Sequence, residues 1–125
     1  MLEGLGKPVV LTGSMIPLCE PFNDARRNLI ASVIFASTLE LCEVSIFFND
    51  RLLRGNRAHK IDSNGLDAFE SPNFPALATV GARVATARAN WIEPPKSRLR
   101  VHTTLSTNIV VTEAPGAQRR ALEFL

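Results

Sequence analysis

Two short apolar runs, with a longer periodic stretch between them, mark the N-terminal part of the chain. Residues 8–14, PVVLTGS, open at a proline and close beside a glycine, which is typical of a short buried strand. Residues 43–48, EVSIFF, predict a second buried strand. Residues 25–40 have apolar positions at helical spacing. A strand, a helix and a strand in this order predict a βαβ unit with parallel strands.

The predicted helix, ARRNLIASVIFASTLE, has a recognisable start and one apolar side. Asn23 or Asp24 is expected to offer a side-chain oxygen to the free amides of its first turn. Arg26 and Arg27 in that turn are interpreted as a solvated face. The apolar positions repeat at helical spacing and predict one broad stripe of the kind that faces a core. They are Leu29, Ile30, Val33, Ile34 and Ala36, with Ser37 in the same rows.

The loops of a βαβ unit that carry function follow the carboxyl ends of its strands. Residues 13–17, GSMIP, and residues 49–57, NDRLLRGNR, are expected to be those loops. The second loop contains three arginines and precedes a lysine, Lys60. This placement is the first indication that the basic segment lies near a site.

Later segments have weaker patterns. Residues 71–75, SPNFP, predict a proline-bounded loop, and residues 78–87 predict a weak strand or a pair of short strands. Residues 90–98, with two adjacent prolines, read as a boundary or linker. Residues 108–113, NIVVTE, predict another strand, and residues 117–125 predict the start of a helix. The pattern as a whole predicts an α/β fold.

Composition narrows the function classes. The chain has 125 residues, 46% of them hydrophobic, and a net charge of +2, which fit one globular domain. The near-balance of charge leaves no polyanion footprint, so nucleic-acid binding is disfavoured. No stretch approaches the roughly 20 apolar residues of a membrane-spanning helix, and the N-terminus has no basic leader. We expect a soluble, intracellular protein.

The two cysteines, Cys19 and Cys42, are interpreted as free thiols. They have no CxxC partner, and His59 and His102 do not complete a zinc site of the usual spacing. We therefore expect no metal site. Each histidine on its own is interpreted as structural or exposed.

Few residues indicate chemistry by pattern alone. The chain contains none of the motifs GxGxxG, GxxxxGK[ST], GxSxG or HExxH. Ser14 follows a strand and a glycine, but no histidine lies at a suggestive position. Lys60, if its segment is extended, shares a face with Ala58 and is able to reach a cleft at the edge of the βαβ unit. A solvated loop cation is the simpler interpretation of the pattern.

Four segments together resemble a known family, the bacterial L-asparaginases, and in particular their cytoplasmic type I branch. The resemblance runs in order over residues 1–84, weakens over residues 85–105 and resumes at NIVVTEAPG. Its most specific part is the long central segment RLLRGNRAHKIDSNGLDAFESPN. The segments are LEGLGKPVVLTGSMIP, NDARRNL, IFFNDRLLRGNRAHKIDSNGLDAFESPNFPALATVGA and the final EFL.

The resemblance implies an amidohydrolase that converts L-asparagine to L-aspartate and ammonia without a metal or organic cofactor. Lys60 matches the family's catalytic lysine, which we expect to remain charged, to hold an aspartate and a threonine, and to stabilise developing negative charge. Ser14 matches the turn whose backbone carbonyl approaches the substrate amide. Asp24 and Asn28 are interpreted as cap and packing residues. No role follows for Arg51, Arg54 and Arg57, which are expected to be surface or inter-subunit cations.

The resemblance also implies an interior fragment. The family's two catalytic threonines and its His-Gly-Thr-Asp motif would precede Met1, so little activity is expected from the chain alone. Residues 1–95 correspond to the later part of the N-terminal domain, and residues 96–125 to a linker and the first strand and helix of the C-terminal domain. Because that C-terminal domain contributes to a neighbouring subunit's site, a homo-oligomer is expected for the full-length protein.

Three different interpretations stay open. One is a non-catalytic remnant or interaction protein whose uncovered strand edges make it unstable or self-associating. Another is a related glutaminase-asparaginase or a tRNA-linked amidotransferase subunit, which shares the same core. The third is a nucleotide-binding α/β protein, which the absence of a glycine-rich phosphate loop disfavours.

Overall fold

The computed structural model describes residues 2–109, and the strand predicted from residue 108 and the helix predicted from residue 117 lie wholly or largely outside that range. One α-helix and nine short strands follow one another along the chain. Two single-turn 3-10 helices, Gly55–Arg57 and Arg88–Asn90, interrupt them. The elements are β1 (Leu2–Glu3), β2 (Val9–Thr12), α1 (Ala25–Thr38), β3 (Val44–Phe48), β4 (Arg51–Arg54), β5 (His59–Lys60), β6 (Phe69–Glu70), β7 (Ala78–Val80), β8 (Val84–Thr86) and β9 (Arg100–Val101).

The predicted βαβ unit is confirmed. Strands β2 and β3 are parallel, with Val9 opposite Val44 and Thr12 opposite Phe47, and α1 forms the crossover between them. They belong to a five-stranded sheet of order β2-β3-β4-β7-β8, in which the other three pairings are antiparallel. The sheet is therefore mixed. Among the described residues β2 forms one of its edges, with Leu11 and Thr12 exposed, so its prediction as a buried strand was wrong. The pair of short strands expected in residues 78–87 is confirmed as β7 and β8.

The segment that follows β3 is a hairpin, and its prediction as one loop over residues 49–57 was wrong. Phe48 pairs with Arg51, so only Asn49 and Asp50 form the turn. Their φ angles are +43° and +64°, which is the backbone of a type I′ hairpin turn and suits Asn and Asp better than most residues. The arginine-rich sequence after the turn is strand β4, because its two leucines are needed in the core.

Helix α1 packs on the sheet, but the side that it packs with is opposite to the side that was predicted. Its buried residues are Asn28, Ser32 and Phe35, and the Phe35 ring packs edge-on against Phe47 with the centroids 5.3 Å apart. The Ser32 hydroxyl donates to the Asn28 carbonyl at 2.7 Å, so the helix satisfies this buried polar group internally. The predicted apolar stripe is solvent-facing among the described residues. Its exposed members are Leu29 (49%), Ile30 (54%), Val33 (59%) and Ile34 (49%).

The hydrophobic core lies between α1, the centre of the sheet and the segment before β7. Its fully buried aromatic and aliphatic residues come from α1, β3, β4, β7 and the segments directly before β3 and β7. Trp91 packs against this cluster, and its indole nitrogen donates to the Leu77 carbonyl at 3.2 Å. The core residues are Phe35, Leu41, Phe47, Leu52, Leu77 and Ala78.

The three arginines of the basic segment have different environments. Arg54 was expected at a surface or subunit interface, but it is largely buried beside the buried Glu43, with side-chain exposures of 15% for Arg54 and 4% for Glu43. Arg54 also donates to the Asn90 carbonyl at 2.7 Å. Arg51, about one third exposed, pairs with Asp67, and Arg57 is exposed. Arg54 lies inward because the buried Glu43 carboxylate requires a counter-charge.

The two cysteines are free thiols, as predicted, with Cys19 exposed and Cys42 half-buried. Of the two arginines in the first turn of α1, Arg27 is mostly exposed but also makes a two-point ion pair with Asp50 at 2.6 and 2.7 Å. Within residues 2–109, no helix is long and apolar enough to cross a membrane.

Candidate active site

A pocket of about 260 Å³ opens at the carboxyl ends of the two parallel strands, the edge where α/β sheets usually bind ligands. It brings together Ser14 and Lys60, the two site residues predicted from the sequence. Most of its wall is apolar, and Lys60 supplies its positive charge. The lining residues are Leu11, Thr12, Gly13, Ser14, Met15, Ile46, Phe48, Lys60 and Phe69.

Lys60 reaches this pocket through a short antiparallel ribbon. It stands opposite Phe69 in the pairing of β5 with β6, and the Phe69 ring packs on Phe48 with the centroids 5.0 Å apart. The amide of Ile61 donates to the Ala68 carbonyl at 2.9 Å, which continues the ribbon. Backbone pairing and one aromatic contact therefore place the backbone of Lys60, an exposed residue, beside the end of β3.

The chain between β4 and Lys60 makes a tight turn over β3. Gly55 begins this turn, and a Cβ at that position would lie 2.9 Å from the Val44 carbonyl oxygen. Only glycine permits so close an approach without displacement of one backbone. Gly55 thus sets the path that returns the chain to the pocket.

Asp24 holds the loop that carries Ser14. Its carboxylate accepts the amides of Met15 at 3.0 Å and Ile16 at 2.9 Å. Partial burial raises the pKa of Asp24, but these two amides and the Asn28 side chain outweigh that effect and keep the pKa below its ordinary value of 3.8. The expected role of Asp24 as a side-chain cap is wrong, because Asn23 caps the helix by accepting the Arg26 amide at 3.1 Å.

Asn28 joins the ends of the two parallel strands, a role that its interpretation as a packing residue missed. It is 2% exposed. Its side-chain nitrogen donates to the Gly13 carbonyl at 2.9 Å, and its side-chain oxygen accepts the Asn49 amide at 3.3 Å. A polar residue on the predicted helix, four positions after an aspartate, was the available sequence signal.

Thr12 is the one threonine that lines the pocket in the described part of the chain. Its hydroxyl donates to the Phe47 carbonyl at 2.9 Å, so it links β2 to β3. The two histidines do not line the pocket: His59 is exposed on β5, and His102 pairs with Glu3 at 2.8 Å. Over residues 2–109, no cluster of three or more His, Cys, Asp or Glu side chains is arranged to hold a metal ion.

Known proteins resemble this chain in both sequence and structure. A family model described as the asparaginase N-terminal domain matches residues 1–92. The crystal structure of L-asparaginase I from Vibrio cholerae superposes with a TM-score of 0.81 at 34% identity, covering 98% of this chain and 39% of that one.

Three curated relatives carry different names. L-asparaginase 1 of Escherichia coli K12 is 43% identical over 117 residues, which are 93% of this chain and 35% of that protein. A 60 kDa lysophospholipase of Mus musculus is 43% identical over 110 residues, 87% of this chain and 20% of that protein. One component of the glutamyl-tRNA(Gln) amidotransferase of Aeropyrum pernix is 31% identical over 134 residues, 98% of this chain and 31% of that protein.

This chain therefore spans about a third or less of the length of each of these relatives. The family match covers the whole five-stranded sheet and both residues predicted to form the site. The family model, the identities and the superposition together show that the chain belongs to the asparaginase family, whose N-terminal domain it matches.

Proposed function

We propose that this chain forms part of an amidohydrolase site that converts L-asparagine to L-aspartate and ammonia. The observation that carries the proposal is the pocket in which the Ser14 loop and Lys60 meet at the carboxyl ends of β2 and β3. Its size suits a small ligand. Its wall includes one cation, Lys60, and also Ser14, whose main chain makes no hydrogen bond among the described residues. Similarity to L-asparaginase 1 supports the same substrate class.

Lys60 acts as a fixed positive charge in this proposal. The tetrahedral intermediate of amide hydrolysis develops negative charge on the former carbonyl oxygen, and a preorganised cation stabilises that charge. The ammonium also attracts an acidic group next to the nucleophile and holds it in place.

Ser14 contributes its main chain in this proposal. Ser14 lines the pocket, and its carbonyl is proposed to accept a hydrogen bond from the substrate's side-chain amide. The serine hydroxyl is not assigned as a nucleophile, because neither His59 nor His102 lines the pocket to act as its base.

The nucleophile is proposed to come from outside these 125 residues. The reaction requires a hydroxyl that attacks the carboxamide carbon, expels ammonia and is then released by water. Thr12 is engaged with the Phe47 carbonyl, and no other described threonine lines the pocket. We therefore expect the isolated chain to be inactive on L-asparagine.

The remaining parts of the proposal follow from the family. No metal or organic cofactor is required for this hydrolysis. A homo-oligomer is proposed for the full-length protein, with residues 1–95 in its N-terminal domain and residues 96–125 leading into the next. A cytoplasmic location is proposed by likeness to a Campylobacter jejuni protein named as a probable cytoplasmic L-asparaginase.

A second candidate is the amide-hydrolysing component of a tRNA-dependent amidotransferase. The similarity to the Aeropyrum pernix amidotransferase over 98% of the chain favours it, although the identity is lower than that to L-asparaginase 1. In this case the pocket serves glutamine, and the ammonia passes to a partner protein. Two further candidates are a glutaminase-asparaginase and a non-catalytic remnant.

A chimera tests the proposal. The matched segment of Escherichia coli L-asparaginase 1 is replaced by this chain, and ammonia release is measured with L-asparagine and with L-glutamine. We expect the chimera to hydrolyse L-asparagine. In Lys60→Ala the rate of ammonia release should fall by roughly 10²–10³-fold, the usual effect of removing one group that stabilises the transition state. The exposed Lys96, which lies outside the pocket, provides the matched control Lys96→Ala.

Each outcome distinguishes the candidates. Preference for L-glutamine would favour the amidotransferase interpretation. A folded chimera with no hydrolysis of either amide, while its parent enzyme remains active, would contradict the proposed site. Ammonia release by the isolated 125-residue chain would show that the nucleophile lies within it.

A further inference from the structure

The loop between β2 and α1 is held by two side chains, those of Asp24, directly before α1, and Asn28, near the start of α1. The Asp24 carboxylate accepts the amides of Met15 and Ile16, using both of its oxygens. The Asn28 amide donates to the Gly13 carbonyl at 2.9 Å and to Asp24 at 3.3 Å. Two side chains thus bind the backbone on both sides of Ser14.

This arrangement leaves a specific part of the backbone free. The Gly13 carbonyl faces Asn28, and the amides of Met15 and Ile16 face Asp24. In the described part of the chain, the Ser14 main chain makes no hydrogen bond. Ser14 nevertheless lines the pocket. The amide N–H and the carbonyl of Ser14 are therefore available to a polar ligand in the pocket.

We propose that Asp24 and Asn28 are positioning residues that present the Ser14 main chain to the ligand. The proposal rests on the proposed amidohydrolase function. Neither residue lines the pocket of Ser14 and Lys60, so both act through the loop. For Asp24 this role takes the place of the side-chain cap role, and for Asn28 it is added to packing, since Asn28 is buried.

The chemistry of the two residues matches this task. A carboxylate that accepts two backbone amides makes charge-assisted bonds, which are shorter and stronger than neutral ones. Asn28 must donate to one strand end and accept from the other, and only an amide side chain of this length does both. Since Asn28 is 2% exposed, water does not replace a lost bond.

Backbone NMR on the whole 125-residue chain tests the hold on the loop. Amide exchange and amide proton shifts of Met15 and Ile16 are compared in the wild type, Asp24→Asn and Asp24→Ala. We expect these two amides to titrate together with a midpoint below 3.8 in the wild type. The titration should vanish in Asp24→Asn, which retains one oxygen acceptor and partial protection, and protection should be lost in Asp24→Ala.

Asp62→Asn is the matched control. Asp62 also has a pKa lowered by backbone hydrogen bonds, first from Asn64, but it lies in another loop. This variant should leave the amides of Met15 and Ile16 unchanged. Equal protection of those amides in the wild type and Asp24→Ala, with strand β3 intact in both, would overturn the proposal.

Titration with L-asparagine, followed by the amide shifts of residues 13–15, separates the two proposals. We expect binding to weaken roughly tenfold or more in Asp24→Ala, with partial rescue in Asp24→Asn. Unchanged binding in Asp24→Ala, with the loop protection lost, overturns the positioning role alone. No shift in the wild type, with the loop protection intact, overturns the proposed function on this chain and the ligand-presenting role with it.

Discussion

Arg54 forms a largely buried ion pair with Glu43, the residue directly before β3. The guanidinium also lies 4.2 Å from the centre of the Phe74 ring and donates to the Asn90 carbonyl at 2.7 Å. The same Glu43 carboxylate accepts the Ile92 amide at 3.2 Å. One ion pair thus ties the start of β3 to the segment that follows the sheet.

Removal of one partner should destabilise the chain strongly. We expect Glu43→Ala to lower the free energy of unfolding by about 3–5 kcal/mol, because Arg54 is then a buried charge without a counter-charge. Urea denaturation followed by circular dichroism measures the change. Asp67→Ala, which removes the partner of the more exposed Arg51, is the control and should cost about 1 kcal/mol or less. Similar costs for the two variants would contradict the burial of Arg54.

The orientation of α1 can be tested with two substitutions on opposite sides of the helix. Phe35 is 2% exposed and packs on Phe47, so Phe35→Ala should cost about 3–5 kcal/mol of unfolding free energy. Val33 is 59% exposed, and Val33→Ala should change that free energy by about 0.5 kcal/mol or less. Thermal and urea unfolding would check both. The reverse order would support the orientation that the sequence pattern predicted.

Stability should depend on the ionisation of Asp24. Burial raises its pKa, but hydrogen bonds from Ile16, Met15 and Asn28 outweigh that effect and hold the pKa in the folded chain below the ordinary value of 3.8. The carboxylate therefore contributes stability at pH values above the unfolded pKa, and that contribution is lost as the pH falls through the folded pKa. The wild type should have a higher Tm than Asp24→Asn at about pH 6, well above both pKa values. The difference should shrink as the pH falls towards the folded pKa, and a constant difference would contradict this.

Gly55→Ala should displace the turn that leads to Lys60. The new Cβ would lie 2.9 Å from the Val44 carbonyl oxygen, which should cost about 1–3 kcal/mol of unfolding free energy. Gly6→Ala is the control, since no atom lies within 4 Å of a Cβ there. Urea unfolding measures the cost, and the Lys60 amide shift in NMR reports whether the β5 ribbon has moved. An unchanged shift and an unchanged stability would show that the turn tolerates the added methyl group.

The sequence was sufficient for features that depend on short-range patterns. The apolar runs at residues 8–14 and 43–48 predicted the parallel pair, because strands of parallel sheets are rich in apolar residues, although β2 itself is only partly buried. The association of Ser14 with Lys60 came from resemblance to the asparaginases, and both residues line one pocket in the folded chain. Pattern alone favoured a solvated Lys60, because nothing in a single sequence reveals the β5–β6 pairing.

The features that were missed depend on polar groups satisfied at long range. The periodicity of α1 placed its apolar stripe against the core, but hydrogen bonds from Asn28 to two strand ends override that preference. The sequence around Arg54 predicts a loop cation, because its partner Glu43 lies 11 positions earlier and the two meet only when β3 and β4 pair. The turn at Asn49 and Asp50 was the one short-range signal available for that hairpin.

Strand β2 has a consequence beyond its role in the fold, because it ends at the pocket and borders the sheet. Its hydrogen-bonding groups on the outer side have no neighbouring strand among the described residues, and Leu11 on this strand is 53% exposed at the pocket wall. Any strand that pairs there would both extend the sheet and close one side of the pocket. Assembly of the sheet and affinity for the ligand would then be thermodynamically linked, so that each would strengthen the other.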